Sequence, residues 1–234
     1  MAEIFRRVEK KYIINKQQYL ALKKILNKYM IEDEHGKSTI CNLYFDTDNY
    51  DLIMHSITKP AFKEKIRLRS YNVPELNSNV YLEIKRKYDG VVSKRRIEMK
   101  LKDYYNSQKL GLNVDNQIEK ELKYYFDFYK LSPKMFLSYS RRAYYDKDNR
   151  DFRVTFDSNI IARPYDFEIE KGVYGEYILA PNKYIMEIKT LGSIPFWLVR
   201  ILTDLSIYPC GFSKYGEAYT QLILKANKIE EYVI

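Results

Sequence analysis

Cysteine and histidine are scarce in this chain of 234 residues. There are two cysteines, Cys41 and Cys210, far apart in the sequence, and two histidines, His35 and His55. No Cys-x-x-Cys pair is present, so neither a zinc site nor a disulfide framework is indicated. The sequence also lacks a Ser-His-Asp set, a P-loop and the glycine pattern of a dinucleotide fold. The common signatures of metal-thiolate, serine hydrolase and P-loop proteins therefore give no guide to function.

Long hydrophobic runs are missing as well. The most apolar window, 194–205, is interrupted by Arg200 and Asp204 and is too short to span a bilayer. The first residues, Met-Ala-Glu-Ile-Phe-Arg-Arg, lack the apolar region of a signal peptide. We therefore expect a cytoplasmic protein with no membrane segment of its own. A membrane-protein partner and the oligomeric state are left open.

Positive charge and tyrosine, in contrast, are plentiful. Forty Lys and Arg residues against 31 Asp and Glu give a net charge of +9, which favours a polyanionic partner such as nucleic acid, anionic lipid or phosphates. Hydrophobic residues make up 46% of the chain, enough for a substantial core. The 24 tyrosines bring hydroxyl groups that need partners when buried. No linker or repeat divides the sequence, so one domain over 1–234 is expected.

Alternation of charged and aliphatic residues is the dominant pattern. In the segment 80–87, Val80, Leu82 and Ile84 fall on one face of a predicted β-strand and the charged residues fall on the other. Similar strands are predicted over 6–14, 40–47, 63–71, 91–99, 136–145, 152–157 and 184–190. Amphipathic helices are predicted over 16–30, 102–110, 117–130, 195–207 and 213–228. This mixture predicts an α+β fold.

The basic strand faces have two interpretations. One is an antiparallel sheet with a solvated face. Solvated faces usually mix neutral polar residues with both charges, whereas here Arg and Lys dominate, and like charges on neighbouring strands repel one another. The second interpretation is a surface that binds a polyanion. An open basic sheet would suit nucleic acid, whereas a closed barrel would enclose the cations and leave its aliphatic exterior to the helices.

Phosphate is the ligand that this residue choice suits best. The planar guanidinium of Arg binds oxygens through two N–H groups, and Lys adds a point charge. No recognisable nucleic-acid-binding motif is present, so nucleic acid is not expected as a partner. Glu9, Glu83 and Glu187 each lie two residues from a cation. Such a carboxylate suits a divalent cation that bridges phosphate oxygens, although pairing with the neighbouring cation is the alternative.

Eight short motifs, taken in order, cover nearly the whole chain. They are Arg7-x-Glu9-x-Lys11-Tyr12, Leu43-Tyr44-Phe45-Asp46-Thr47, Lys65-x-Arg67-x-Arg69-x-Tyr71, Glu83-x-Lys85, Tyr139-x-Arg141-x-Ala143-Tyr144, Arg153-Val-Thr-Phe-Asp157, Met186-Glu-x-Lys189 and Phe212-Ser-Lys-Tyr215. Their order and spacing resemble the VTC domain. That domain is the polyphosphate polymerase catalytic domain within the CYTH, or triphosphate tunnel metalloenzyme, superfamily.

The resemblance implies a fold and an activity. The fold would be an antiparallel eight-stranded β-barrel that forms a tunnel, with helices packed around it. The activity would be transfer of the γ-phosphate of ATP onto a polyphosphate chain, with Mn²⁺ or Mg²⁺ as cofactor. Two alternatives stay open: hydrolysis of tripolyphosphate or nucleoside triphosphates in the same tunnel, and a non-catalytic module that binds polyphosphate or another polyanion.

The resemblance also implies roles for individual residues. The phosphate-binding side chains would be Lys11, Lys65, Arg67, Arg69, Lys85, Lys94, Arg96, Arg141, Arg153, Lys189 and Lys214. Three of them, Arg69, Lys189 and Lys214, would be catalytic. Metal ligands would be Glu187, Glu9 and Glu83. The superfamily motif Glu-x-Glu-x-Lys begins here with Arg7, and this departure suits polymer binding better than a general triphosphatase.

Overall fold

The computed structural model describes residues 8–89, 91–110 and 116–226. Arg7, from the first motif, and Gly90, from a predicted turn, lie outside the described residues. The strands are β1 (Val8–Asn15), β2 (Met30–Asp46), β3 (Phe62–Tyr71), β4 (Asn79–Tyr88), β5 (Val91–Lys100), β6 (Ser132–Asp146), β7 (Arg153–Arg163), β8 (Glu176–Tyr177) and β9 (Lys183–Thr190).

Six α-helices accompany these strands within the described part of the chain. They are α1 (Lys16–Tyr29), α2 (Asp51–Ile57), α3 (Leu101–Leu110), α4 (Gln117–Tyr129), α5 (Phe196–Asp204) and α6 (Lys214–Tyr219). A 3-10 turn covers Ile169–Lys171 and a π-helical turn covers Thr220–Leu224. No helix of the described residues is long and apolar enough to cross a membrane.

The strands form an antiparallel sheet, which confirms the α+β class. The strand order is β1-β9-β7-β6-β2-β3-β4-β5, and β8 pairs with β7 outside that path. Within the described residues the sheet therefore has nine strands and not the predicted eight. The additional strand is the two-residue β8, which lies in a segment without an alternating pattern. Among the described residues the pairings follow an open path, so the predicted closure into a barrel is not found there.

The chain forms two compact units, each assembled from three segments. The first unit contains residues 8–38, 139–160 and 179–213, and the second contains the described residues of 39–138, 161–178 and 214–226. Each unit has its own cluster of buried hydrophobic side chains. The single domain over 1–234 stays a prediction.

In the first unit, β9 pairs with both β1 and β7. Helix α1 begins at Lys16, as predicted, and Asn15 caps it: the Asn15 side chain accepts a hydrogen bond from the Gln18 N–H at 2.9 Å, and the Gln18 side chain accepts one from the Asn15 N–H at 2.9 Å. Leu22 and Leu26 of α1 are fully buried, and they share a cluster with Leu198 of α5. Both helices thus cover the aliphatic side of these strands.

The second unit contains the ladder β2-β3-β4-β5, with α4 against its aliphatic side. One buried carboxylate, Glu64 of β3, lies on that side. It accepts hydrogen bonds from the hydroxyls of Tyr125 at 2.6 Å and Tyr129 at 3.0 Å. The Tyr125 hydroxyl in turn accepts a hydrogen bond from Arg86 at 2.9 Å. Helix α4, which contains these tyrosines, is therefore held against the sheet by hydrogen bonds as well as by hydrophobic packing.

A buried arginine organises the segment that follows β7. Arg163 has no exposed surface, and its guanidinium lies 3.7 Å from the ring centre of Phe136 and 4.0 Å from that of Tyr174. It donates hydrogen bonds to the carbonyl oxygens of Asp166 at 3.0 Å, Gly172 at 3.0 Å and Tyr174 at 3.1 Å. These contacts satisfy a buried cation through backbone dipoles and fix the course of the segment.

Gly175 in this segment makes a stability prediction possible. Its φ is +136°, and a Cβ there would lie 2.4 Å from the carbonyl oxygen of Ala162, which pairs with Glu176. We expect Gly175→Ala to lower the free energy of unfolding by about 2–4 kcal/mol, measured by urea denaturation. Gly192→Ala is the control, because a Cβ there meets nothing within 4 Å. Equal losses in both variants would contradict this account.

Candidate functional site

Strands β3, β4 and β5 bring nine cations onto one face of the second unit, namely Lys63, Lys65, Arg67, Arg69, Lys85, Lys87, Lys94, Arg96 and Lys100. Their register pairs Lys65 with Lys85 and Lys85 with Lys94, so that three lysines predicted to bind phosphate form one row. The other rows are Lys63 with Lys87, Arg67 with Glu83 and Arg96, and Arg69 with Tyr81 and Glu98. We call this surface the second-unit basic face. It contains six of the residues predicted to bind phosphate, namely Lys65, Arg67, Arg69, Lys85, Lys94 and Arg96. Side chains two residues apart on a strand share a face, which explains the spacing of two in the sequence.

Glu83 is the carboxylate at the centre of this face, and its side chain is 1% exposed. Its Oε2 atom accepts hydrogen bonds from Nε and a terminal nitrogen of Arg67 at 2.9 and 2.8 Å. Its Oε1 atom lies 2.5 Å from Nζ of Lys94. Burial acts to raise the pKa of Glu83, but Arg67, Arg69 and Lys94 outweigh it and lower the pKa to about 2. Because cations contact both oxygens, the geometry favours a counter-ion role over the predicted metal-ligand role.

Neutral groups hold the two central arginines from another side. Arg67 donates a hydrogen bond to the hydroxyl of Tyr44 at 3.2 Å. Arg69, which is 8% exposed, donates one to the side-chain oxygen of Asn42 at 3.0 Å. Asn42 is fixed in turn by the carbonyl oxygen of Leu137 at 3.1 Å. Asn42 was not predicted from the sequence as a site residue. Its position next to Leu43 in a predicted strand puts its polar side chain on the face opposite that of Leu43, which could have indicated the role.

Lys214 begins α6 in the same unit, and the next residue anchors that helix. Tyr215 is 2% exposed, and its ring stacks on the ring of Tyr44 with their centres 4.5 Å apart. Arg96, also in this unit, places its guanidinium 4.6 Å from the ring centre of Tyr81. Tyr44 thus contacts Arg67, and Tyr81 contacts Arg96. The composition alone did not reveal this role of the tyrosines.

The first unit contains a second set of predicted site residues, on β1, β7 and β9. The register places Lys189 between Glu9 and Arg153, and Glu187 opposite Lys11. Glu187 is 6% exposed. Its Oε2 atom lies 3.4 Å from Lys189 Nζ and 3.8 Å from a terminal nitrogen of Arg141, and its Oε1 atom lies 4.0 Å from Lys11 Nζ. We call Glu187, Lys11, Arg141 and Lys189 the Glu187 cluster.

Asp157 fixes the arginine of this cluster. Two Arg141 nitrogens donate hydrogen bonds to the two oxygens of Asp157, both at 2.7 Å, and Asp157 has no exposed surface. Burial acts to lower the pKa of Arg141, but Asp157 outweighs it, so the pKa is raised well above its usual range. Asp157 was placed on a strand face by its spacing but was not predicted to belong to the site. Arg153 is exposed and donates a hydrogen bond to the carbonyl oxygen of Arg150 at 3.1 Å.

The predicted metal ligands do not form a three-carboxylate site. Within residues 8–89, 91–110 and 116–226, no group of three or more His, Cys, Asp or Glu side chains is placed to hold a metal ion. Glu9 and Glu187 do share a neighbour, since Lys11 Nζ lies 3.5 Å from a Glu9 oxygen and 4.0 Å from a Glu187 oxygen. One or two carboxylates are enough for Mg²⁺ when substrate phosphates supply further ligands. The residues of the first unit therefore fit a divalent ion that is bound together with phosphate.

Both units thus present oriented arginines and lysines around a buried carboxylate, which is the chemistry of a phosphate-binding protein. Solved structures of similar fold include a proposed adenylate cyclase from Bacillus halodurans (15% identity over 88% of this chain and 93% of that chain, TM-score 0.55). They also include a proposed adenylyl cyclase from Hippeastrum with a dominant triphosphatase activity (16% identity over 89% of this chain and 93% of that chain, TM-score 0.54). At these identities the likeness shows the fold alone.

The sequence itself gives the family. Residues 6–223 match the VTC domain, which is nearly the whole chain. The chain therefore belongs to the VTC domain family, and the predicted membership is confirmed. Among curated protein sequences, the comparison found no significant match.

The low pKa of Glu83 predicts how stability depends on pH. Because the folded-state pKa is lowered from 4.5 to about 2, the carboxylate stabilises the fold above pH 4.5 and loses this effect as the pH falls towards 2. We expect Glu83→Gln to be less stable than the wild type by up to about 3 kcal/mol at pH 7. Urea denaturation at several pH values should show the difference shrinking below pH 4.5. A difference that does not change between pH 7 and pH 3 would contradict the counter-ion role.

Proposed function

We propose that this protein is a polyphosphate polymerase that transfers the γ-phosphate of ATP onto a polyphosphate chain. Membership of the VTC domain family supports phosphoryl chemistry on a triphosphate. The length of the second-unit basic face is the observation that favours a long polyphosphate chain over a triphosphate as the ligand. The single domain and the cytoplasmic location remain predictions that accompany this proposal.

The basic face extends along β3 through alternate residues from Lys63 to Arg69. Six residue steps at about 3.3 Å each give a length of about 20 Å. A triphosphate is much shorter than that, so it would contact only part of the face. A polyphosphate chain would contact all of it.

Lysine rows at one end of this face support the same choice. Lys65, Lys85 and Lys94 lie side by side across three strands, and Lys63 pairs with Lys87 in the adjacent row. Like charges in direct cross-strand register destabilise a sheet. A long polyanion would add negative charge along these rows, whereas a triphosphate held by Arg67 and Arg69 would not reach all of them.

The residues of the first unit would act on the phosphates. Arg141 and Lys189, held around Glu187, would bind and orient the phosphoryl group, and Arg153 would extend the charged surface. Lys189 in this unit, and Arg69 and Lys214 in the second unit, keep the catalytic roles that the resemblance implies. A Mn²⁺ or Mg²⁺ ion held by Glu187, with Glu9 beside it, would supply charge neutralisation to the phosphate oxygens.

Hydrolysis is the second candidate function. The Hippeastrum protein of similar fold has a dominant triphosphatase activity. The same cations would bind a triphosphate whether the attacking group is a phosphate chain end or water. The identity of the nucleophile therefore separates the two candidates.

An assay with ATP and Mn²⁺ tests the proposal directly. We expect the pure protein to form long chains that stain with toluidine blue, because a chain end is the acceptor. Arg69→Ala and Glu187→Gln should each lower the rate at least about a hundredfold. Arg200→Ala and Glu75→Gln, which change exposed residues outside both sets of site residues, are the matched controls. Release of ADP and phosphate alone would indicate a hydrolase, and no metal-dependent turnover would indicate a binding module.

The lysine rows predict a binding affinity that depends on chain length. In Lys63→Ala/Lys87→Ala, the affinity for long polyphosphate should fall about tenfold, and the slope of log Kd against log salt should drop by about two. The affinity for tripolyphosphate should change less than about twofold. Lys24→Ala/Lys28→Ala, which removes two exposed lysines of α1, is the charge-matched control. Titration calorimetry measures both ligands, and equal losses for the two would argue against a long binding face.

A further inference from the structure

The buried carboxylate of Asp46 joins three parts of the second unit. Asp46 ends β2 and has no exposed surface. Its Oδ1 atom accepts hydrogen bonds from the backbone N–H groups of Thr47 and Leu52, both at 2.9 Å. Its Oδ2 atom accepts from the N–H of Ile53 and from the hydroxyl of Tyr215, both at 3.0 Å. One side chain therefore ties the end of β2 to helices α2 and α6.

Tyr215 continues this set of contacts towards the basic face. Its ring is stacked on Tyr44, with the ring planes 14° apart. The Tyr44 hydroxyl accepts a hydrogen bond from Arg67 at 3.2 Å, and the remaining donors of Arg67 hold Glu83. Direct contacts thus lead from Asp46 through Tyr215 and Tyr44 to an arginine of the candidate site.

Helix α6 needs such anchoring because it is short. It has six residues and continues into a π-helical turn, and a helix of this length is not stable without tertiary contacts. Tyr215 supplies one such contact, and Tyr219 supplies another through the ring of Tyr50, with centres 5.1 Å apart. Lys214 immediately precedes Tyr215, so its position follows from the way Tyr215 is held.

We propose that Tyr215 is a positioning residue: through its hydrogen bond to Asp46 and its stacking on Tyr44, it fixes Lys214 relative to Arg67. This inference rests on the proposed function, because Lys214 is the residue that would contact the phosphate. The hydroxyl has a separate role from the ring. A phenylalanine would fill the same volume, but only the hydroxyl can donate to Asp46 and so set where α6 begins.

The test is a double-mutant cycle between Tyr215→Phe and Lys214→Ala. We expect Tyr215→Phe alone to lower kcat/KM for ATP about tenfold, since a displaced catalytic group loses rate steeply with distance. In the Lys214→Ala background the same change should lower kcat/KM less than about twofold. A purely structural role would instead give the same loss in both backgrounds, and that result would overturn the inference.

A control variant and a binding measurement separate the proposed role of Tyr215 from a general loosening of α6 and from a failure of the polymerase proposal. Tyr219→Phe removes a hydroxyl from the same helix and should change kcat/KM less than about twofold, which controls for general loosening of α6. Repeating the cycle with tripolyphosphate affinity requires no turnover. If the wild type binds tripolyphosphate but makes no polymer, the proposed polymerase activity fails while the affinity cycle still decides the role of Tyr215. If Tyr215→Phe does not fold, Tyr44→Leu, which removes the ring on which Tyr215 stacks, must show the same dependence on Lys214 in the same cycle, and additive losses would overturn the inference.

Discussion

Cations that lie side by side on neighbouring strands repel one another, and each compact unit contains a buried carboxylate that limits this repulsion. In the second unit Glu83 binds Arg67 and Lys94. In the first unit Glu187 lies among lysines and an arginine. A carboxylate in this position holds the cations together but neutralises only part of their charge. The second-unit basic face therefore keeps an excess of positive charge, and an anionic ligand would stabilise the folded protein.

The two carboxylates differ in how closely the cations approach them. The hydrogen bonds of Arg67 to Glu83 are 2.8 and 2.9 Å long, in the range of charge-assisted hydrogen bonds, and Lys94 Nζ lies 2.5 Å from the other oxygen of Glu83. The ion pairs of Glu187 are 3.4–4.0 Å long. A carboxylate with short contacts to two cations is suited to a fixed structural role.

The sequence predicted the strand faces because alternation is a local property, and it predicted the start of α1 because the cap of Asn15 is local too. It could not predict cross-strand partners, which depend on register: the contacts of Glu83 and Asp157 appear only once the strands are aligned. It also missed the first half of β2. Residues 30–39 lack alternation, so this long strand was predicted to begin only at Ile40. The buried position of Glu64 was not predicted for a different reason: it is a charged residue on the aliphatic side of β3, where the pattern predicts apolar side chains.

The tyrosines explain how buried carboxylates away from the basic face are satisfied without using its cations. Asp46 accepts a hydrogen bond from the Tyr215 hydroxyl at 3.0 Å. Glu64 accepts from Tyr125 and Tyr129 at 2.6 and 3.0 Å, closer than Arg86 at 3.9 Å. A phenol donates a hydrogen bond but carries no charge at neutral pH. Tyr215, Tyr125 and Tyr129 thus meet these two carboxylates with neutral donors, which gives a structural reason for three of the 24 tyrosines.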